Sequence, residues 1–322
     1  MTISGQLQRG QEHVLTKSIM GRAMALLIAL SVSVSVTPAQ TPSPEAVLAV
    51  VNGKNITQGE LDFLLLSRQI PQEQLAAVKE RLLDALIERR LMREFLDSRK
   101  AKPSQIELDE QIARVLKLIR DGGDDPDKVL ARMGMTQETL RQELSLPLTW
   151  SAYLRLVVTS ERLKQYFEKH RAQFDGTQVR VRQIFLKLPN DADEKTVGEA
   201  QSKLQKLKEE IKSQKISFAD AAALHSEAPS KSEGGDTGWI TYRGKLPIAV
   251  SDAAFALKDN EVSEPIRSPF GLHLVTLTER KPGELSLEDV RAAVFNELSQ
   301  ELWRETVKAQ REKARIEIRS SR

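Results

Sequence analysis

The 322-residue sequence predicts an α+β protein built from a discontinuous, mostly helical domain and one compact α+β domain carried between its parts. Three observations predict it. From Thr57 to about residue 170, apolar residues recur at helical spacing with charges on the other faces. From 177 to 281 the periodicities run β-α-α-β-α-β-β. Past Pro282-Gly283, a last long helix carries an apolar stripe (Val290, Val294, Phe295, Leu298, Leu302, Val307) that it cannot bury alone.

Composition narrows the function classes. Charged residues make up 29% and the hydrophobic class 40%, the balance of a chain that folds in water. Cysteine is absent, which excludes a disulfide scaffold, a thiolate metal site, a thiol nucleophile and a lipid-modified N-terminal Cys. Lys and Arg number 48 against 45 Asp and Glu, so a net charge of +3 gives no electrostatic case for nucleic acid as a partner. The four histidines, at 13, 170, 225 and 273, are too scattered to suggest a metal cluster, and no metal or cofactor is expected.

Targeting comes first along the chain. Lys17 and Arg22 precede the apolar run Ala23–Val36, and small residues with Pro38-Ala39 follow it, the layout of an export signal. The run is shorter than the roughly 20 residues that span a bilayer. Strict alternation of Ser and Val from Ser31 to Val36 argues against a buried core helix. Residues 1–39 are read as a signal cleaved near Ala39, with an uncleaved membrane anchor as the alternative and no stable insertion once it is cut.

Pro42 and Pro44 make an extended leader. Ala46–Val51 is a β-rich run closed by the turn dipeptide Asn52-Gly53, and Thr57 with Glu60 forms a capping box that opens a helix. Leu75, Val78, Leu82, Leu83, Leu86, Ile87 and Leu91 stripe the next helix. Pro103-Ser104 opens another that Gly122-Gly123 ends. Thr136 caps one reaching about Leu156, which Pro147 is expected to kink, and Thr159-Ser160 begins a short one. Near Gly176 the period changes, and Val179, Val181, Ile184, Leu186 and Leu188 alternate loosely as a strand.

A charged helix over about 193–213 follows, then a short helix from Phe218, a Gly/Ser/Pro loop over 226–238 and the extended Trp239–Tyr242. A short helix is expected around 252–257, an extended piece near Ile266, a strand over 272–278, and the long helix from Ser286 to about 312. Ile316 and Ile318 alternate with charge like an edge strand able to pair with Val47–Val51. The domains are therefore expected at 45–172 joined with 287–319, and at 177–281.

The stretches Val179–Lys187, Phe218–Ser226, Gly234–Trp239, Ala253–Leu257, Glu261–Ile266 and Phe270–Leu274 resemble, in order and spacing, a parvulin-type (PpiC, rotamase) peptidyl-prolyl cis-trans isomerase domain. Val50–Thr57, ahead of the helical region, resembles the N-terminal part of periplasmic SurA-type chaperones, though this chain has room for one isomerase domain. The resemblance implies a four-stranded antiparallel sheet with helices and a site where two histidines sit beside a Cys or Asp. His273 matches the second histidine, Gln183 falls at the first and Ala228 at the Cys or Asp position. Glu227 is a candidate substitute acid and Ser268 a further polar member. Leu246, Val250, Phe270 and Trp239 are the candidate contacts for the proline-bearing substrate.

Without the motif, His273 between two leucines on a strand reads as a hydrogen-bonded core residue, as His225 does at the end of its helix. Gly234, Gly235 and Gly238 read as turn formers rather than a phosphate loop, because no strand-to-helix context accompanies them. The resemblance implies an exported, periplasmic folding factor whose partners are unfolded or extended polypeptides, outer-membrane protein precursors among them. It implies isomerase activity at a site lacking two of its usual polar residues. The alternative is a catalytically inactive peptide-binding module of a cell-envelope assembly. Residues 1–39 hold three basic residues and one acidic, so most of the +3 belongs to the signal. N-terminal sequencing of the exported protein is expected to begin near Gln40; a start at Met1 would mean a retained anchor.

Overall fold

The computed structural model describes residues 43–67 and 75–319, so the expected signal lies outside the described residues. No helix among the described residues is long and apolar enough to cross a membrane. Two compact units divide the chain, Met1–Val158 with Ser299–Arg322, and Thr159–Leu298.

In the first unit, β1 (Val47–Val51) and β2 (Lys54–Thr57) form a hairpin across Asn52 and Gly53, both at positive φ as a type I′ turn requires. Thr57 N–H donates to Glu60 Oε2 at 2.8 Å and Glu60 N–H to Thr57 Oγ1 at 3.4 Å, closing the capping box that opens α1 (Gln58–Ser67). Then come α2 (Leu75–Ser98), α3 (Gln105–Asp121), α4 (Pro126–Arg132) and α5 (Gln137–Val157). Both β2 and α4 escaped the sequence reading, because four and seven residues are too few to display a period. Ala49, Val51 and Ile56 bury against Leu82, Leu86, Ile87 and Leu91 of α2, which is why that helix needs its stripe.

Pro147 sits inside α5 without ending it. Its missing N–H frees the Glu143 carbonyl one turn back, and Arg89 Nη2 reaches that oxygen at 3.5 Å. Glu143 is the tie between α2 and α5: its carboxylate pairs with Arg89 and, at 2.7 Å, with Arg93. Burial works against its charge, but the two guanidiniums outweigh that and hold its carboxyl below the usual range.

In the second unit, α6 (Ser160–Lys169) and α7 (Arg171–Phe174) lead into β3 (Gln178–Lys187). After it come α8 (Glu194–Lys212), α9 (Phe218–His225), a 3₁₀ turn at Pro229–Glu233, β4 (Asp236–Thr241), α10 (Ile248–Ala256), β5 (Ile266–Ser268) and β6 (Gly271–Lys281). The sheet order is β4-β3-β6-β5, antiparallel throughout. One face (Ile184, Leu186, Leu272, Leu274) packs on Leu204 and Leu207 of α8 and Ala221 and Ala222 of α9. The opposite face (Val181, Val275, Leu277) packs on Val250 and Ala254 of α10. That helix starts at Ile248, directly after Pro247 and four residues before its expected place.

The unit boundaries correct two expectations. The sequence reading places α6 and α7 with the helical domain up to 172, yet Ala172 packs on the core that holds Val179 and Val181. The Asp175 carbonyl also accepts from Leu285 N–H at 2.9 Å, tying both ends of that unit together. α11 (Leu287–Arg311), assigned whole to the first domain by sequence, is divided at Leu298 and Ser299. In its second half Ser299 accepts from Trp150 Nε1–H at 3.2 Å and Trp303 meets Trp150 edge-on.

The last strand, β7 (Ile316–Ile318), joins the first sheet in the order β2-β1-β7 and pairs antiparallel with β1, the partner its alternation suggested. Asn52 N–H donates to Arg315 O and Arg319 N–H to Leu48 O, which puts Glu317 in the hydrogen-bonded register with Val50 and turns the Ile316 N–H outward. Glu317→Pro therefore loses a ladder bond and is expected to lower stability by about 2–3 kcal/mol, with Ile316→Pro costing less. Urea unfolding midpoints check the order; equal and negligible shifts would show that β7 does not stabilise this sheet.

Candidate functional site

The site is assembled by strand register. Phe185 on β3 lies opposite His273 on β6, so Gln183, two residues away, shares the face of His273 on a diagonal. On the other side of β6, Ile266 lies opposite His273, which puts Ser268 on the second diagonal. His273 Nδ1 is 3.3 Å from Gln183 Oε1, and Nε2 is 2.7 Å from Ser268 Oγ. With the carboxamide oxygen facing the ring, Nδ1 carries the proton and Nε2 accepts from the Ser268 hydroxyl. Phe185 stacks on the imidazole, with ring centroids 4.6 Å apart and planes 29° apart.

His273 is 4% exposed. Burial pushes its pKa down to about 4, so the ring is neutral at physiological pH. All three groups next to it are uncharged. Two backbone clips hold the β3 residues in place. Gln183 N–H donates to Gly235 O at 2.8 Å, and a Cβ on Gly235, at φ +82°, would lie 2.5 Å from Gln183 O. Gly271 opens β6 where a Cβ would lie 2.0 Å from Leu186 O and 2.8 Å from Phe185 Cε2, so only glycine lets the turn approach the Phe185 ring.

Not every residue expected at the site is there. Glu227 is exposed and held elsewhere: its Oε2 accepts Lys187 N–H at 2.6 Å, and its own N–H donates to Phe185 O at 2.7 Å. Its carboxylate serves a strand edge that β4 does not cover, so the substitute-acid reading is corrected. Ala228 is buried and offers only a methyl group where the resemblance expects Cys or Asp. Trp239 is also corrected. It pairs with Arg180 at the far end of β3, under the ammonium of Lys281 at 3.9 Å, and Lys281 is eight residues from His273 along β6, roughly 25 Å.

Leu246 and Val250 belong to the apolar cluster on the face that carries His273, Leu246 partly buried and Val250 fully so. Val250 is thus a support beneath the face rather than an exposed contact. Phe270, in the β5–β6 turn beside Ser268, is 64% exposed, and its N–H donates to Ser268 Oγ at 3.2 Å. The sequence reading missed Phe185, although its alternation with Gln183 on one strand placed both on one face.

The antiparallel sheet flanked by three helices, with a buried histidine held between amide and hydroxyl, defines a parvulin-type isomerase domain. Comparison with known proteins agrees. Residues 184–279 match the PPIC-type PPIASE domain, and residues 7–154 match the SurA-like N-terminal domain. The chain thus carries a PPIC-type PPIase domain together with a SurA-like N-terminal domain.

Foldase protein PrsA of Geobacillus kaustophilus is 28% identical over 291 residues, 89% of this chain and 84% of that protein. Chaperone SurA of Saccharophagus degradans is 25% identical over 272 residues, 80% of this chain; the chain spans only 63% of that protein's length. A crystal structure of PrsA from Bacillus anthracis matches 72% of this chain and 96% of that one, at 20% identity and a TM-score of 0.42.

A neutral buried histidine makes folding pH-dependent. Its folded pKa lies below its ordinary value of 6.5, so the unfolded chain binds the proton first. The associated stability is present above 6.5 and is lost as pH falls from there toward 4. Between pH 7 and pH 4 the wild-type protein is expected to lose about 2–3 kcal/mol more than His273→Asn, read by chemical denaturation. Equal losses would show that His273 titrates normally.

Proposed function

We propose that this chain is an exported, periplasmic folding factor. It binds unfolded or extended polypeptides and catalyses cis-trans isomerisation of X-Pro bonds at His273, Gln183 and Ser268, with Phe270 and Leu246 as apolar contacts for the client. The observation that carries this reading is the buried, uncharged His273, held at both ring nitrogens on the sheet face that also carries an apolar cluster. The names of the relatives, a chaperone and a foldase, support the chaperone half.

The chemistry asks for little. Rotation about X-Pro crosses a barrier of about 20 kcal/mol set by amide resonance. A dry, apolar environment favours the twisted amide, which is less polar than the planar one, and fixed hydrogen-bonding groups steady the carbonyl as it turns. No bond is made or broken and no cofactor is needed. In this chain His273 supplies a neutral imidazole, and Gln183 and Ser268 fix its orientation. Outer-membrane protein precursors are the client class proposed for the periplasm.

A second reading, an inactive peptide-binding module of a cell-envelope assembly, is favoured by one observation: the buried methyl of Ala228 replaces a polar group. Two assays separate them. The full chain is expected to accelerate isomerisation of a proline tetrapeptide, and His273→Ala to lower kcat/KM about 10–100-fold. Suppression of aggregation of an unfolded protein is expected to survive that substitution. Aggregation suppression with no isomerisation in the wild type would select the binding module, and failure of both assays would remove the folding-factor reading.

A further inference from the structure

We infer that Phe185 is a positioning residue: its ring closes one face of the His273 imidazole, keeping the ring dry and oriented for the amide. The inference rests on the isomerase reading for its catalytic consequence, while its structural content stands on geometry. The rings are 4.6 Å apart and 29° from parallel, an offset stack rather than an edge contact.

The backbone of Phe185 is gripped on the side that β4 leaves open. Its N–H donates to Ser226 Oγ at 3.1 Å, and its carbonyl accepts from Glu227 N–H at 2.7 Å. One residue pair on, Lys187 N–H donates to Glu227 Oε2 at 2.6 Å. The segment after α9 thus stands in for β4 along the half of β3 that β4 leaves unpaired, and its polar atoms are engaged in holding the strand that bears Phe185. Gly271 completes the seat, since any side chain there would meet Phe185 Cε2 at 2.8 Å. The two hydrogen bonds to Gln183 and Ser268 fix the ring's nitrogens in its plane, and the stack opposes tilting out of that plane.

Burial alone accounts for the low pKa of His273, so the apolar cover over the ring is the quantity to perturb. Phe185→Ala is expected to raise the NMR titration midpoint of His273 from about 4 by at least one pH unit toward the ordinary 6.5. It is also expected to lower kcat about tenfold with KM changed less than twofold. Phe185→Leu, which restores an apolar cover, is expected to return the midpoint to the wild-type value and recover most of kcat, yet to abolish the upfield ring-current shift of the His273 Cε1–H resonance.

An unmoved midpoint in Phe185→Ala overturns the inference. Should that variant not fold, Phe185→Leu still decides it: a wild-type Cε1–H shift there means that the rings do not stack in solution. If the wild-type chain proves inactive as an isomerase, that reading fails by itself, and the two NMR observations still test whether Phe185 governs the state of His273.

Discussion

The long antiparallel ladder between Gln178–Lys187 and Gly271–Lys281 is the constraint on which the second unit depends. It is the central pair of the four strands and the floor of both cores. Because successive side chains alternate between faces, the same run that buries Ile184, Leu186, Leu272 and Leu274 against α8 and α9 must present Gln183, Phe185 and His273 to the other side. A slip of one residue would exchange the two sets. The apolar packing of one face therefore sets the geometry of the polar cluster on the other.

That cluster is unusual for what it lacks. Elsewhere charge is paired across the sheet, as where Arg180 bridges Asp236 and Glu279. Around His273 the neighbours are an amide, a hydroxyl and a phenyl ring, and burial keeps the imidazole neutral. A charged member would carry a desolvation cost there, with no opposite charge among those neighbours to offset it. For the isomerisation proposed above, which moves no proton between substrate and enzyme, a neutral hydrogen-bonding ring suffices, so Gln183 in place of a histidine is compatible with that proposal.

Glu227 and Trp239 show where reading a motif along the chain misleads. Trp239 lies inside a stretch that carries the family resemblance and Glu227 directly follows one, and both are polar or aromatic at suggestive positions. Register decides otherwise. β4 covers only the first half of β3, which carries Trp239 to the end of the sheet remote from His273. The uncovered second half needs partners for its backbone amides, and Glu227 supplies one to Lys187. A carboxylate engaged in backbone pairing is not free to act as an acid on its neighbour.

Sequence alone determined the fold class, most long helices, the capping box at Thr57, the Asn52-Gly53 turn and the strand pattern of β3, because these rest on local propensity and on periods of 3.6 or 2 over enough residues to be seen. It also singled out His273, Gln183 and Ser268 through their motif. Tertiary structure alone decided which of the candidates meet. β2 and α4 were too short to show a period, and the division within α11 and the transfer of α6 and α7 follow from packing at long range. The stack of Phe185 on His273 lies between residues 88 positions apart, joined by a register that no local pattern encodes. The α+β class with which the sequence began was readable from local periodicity, and the site it supports was not, because a site is a set of distances.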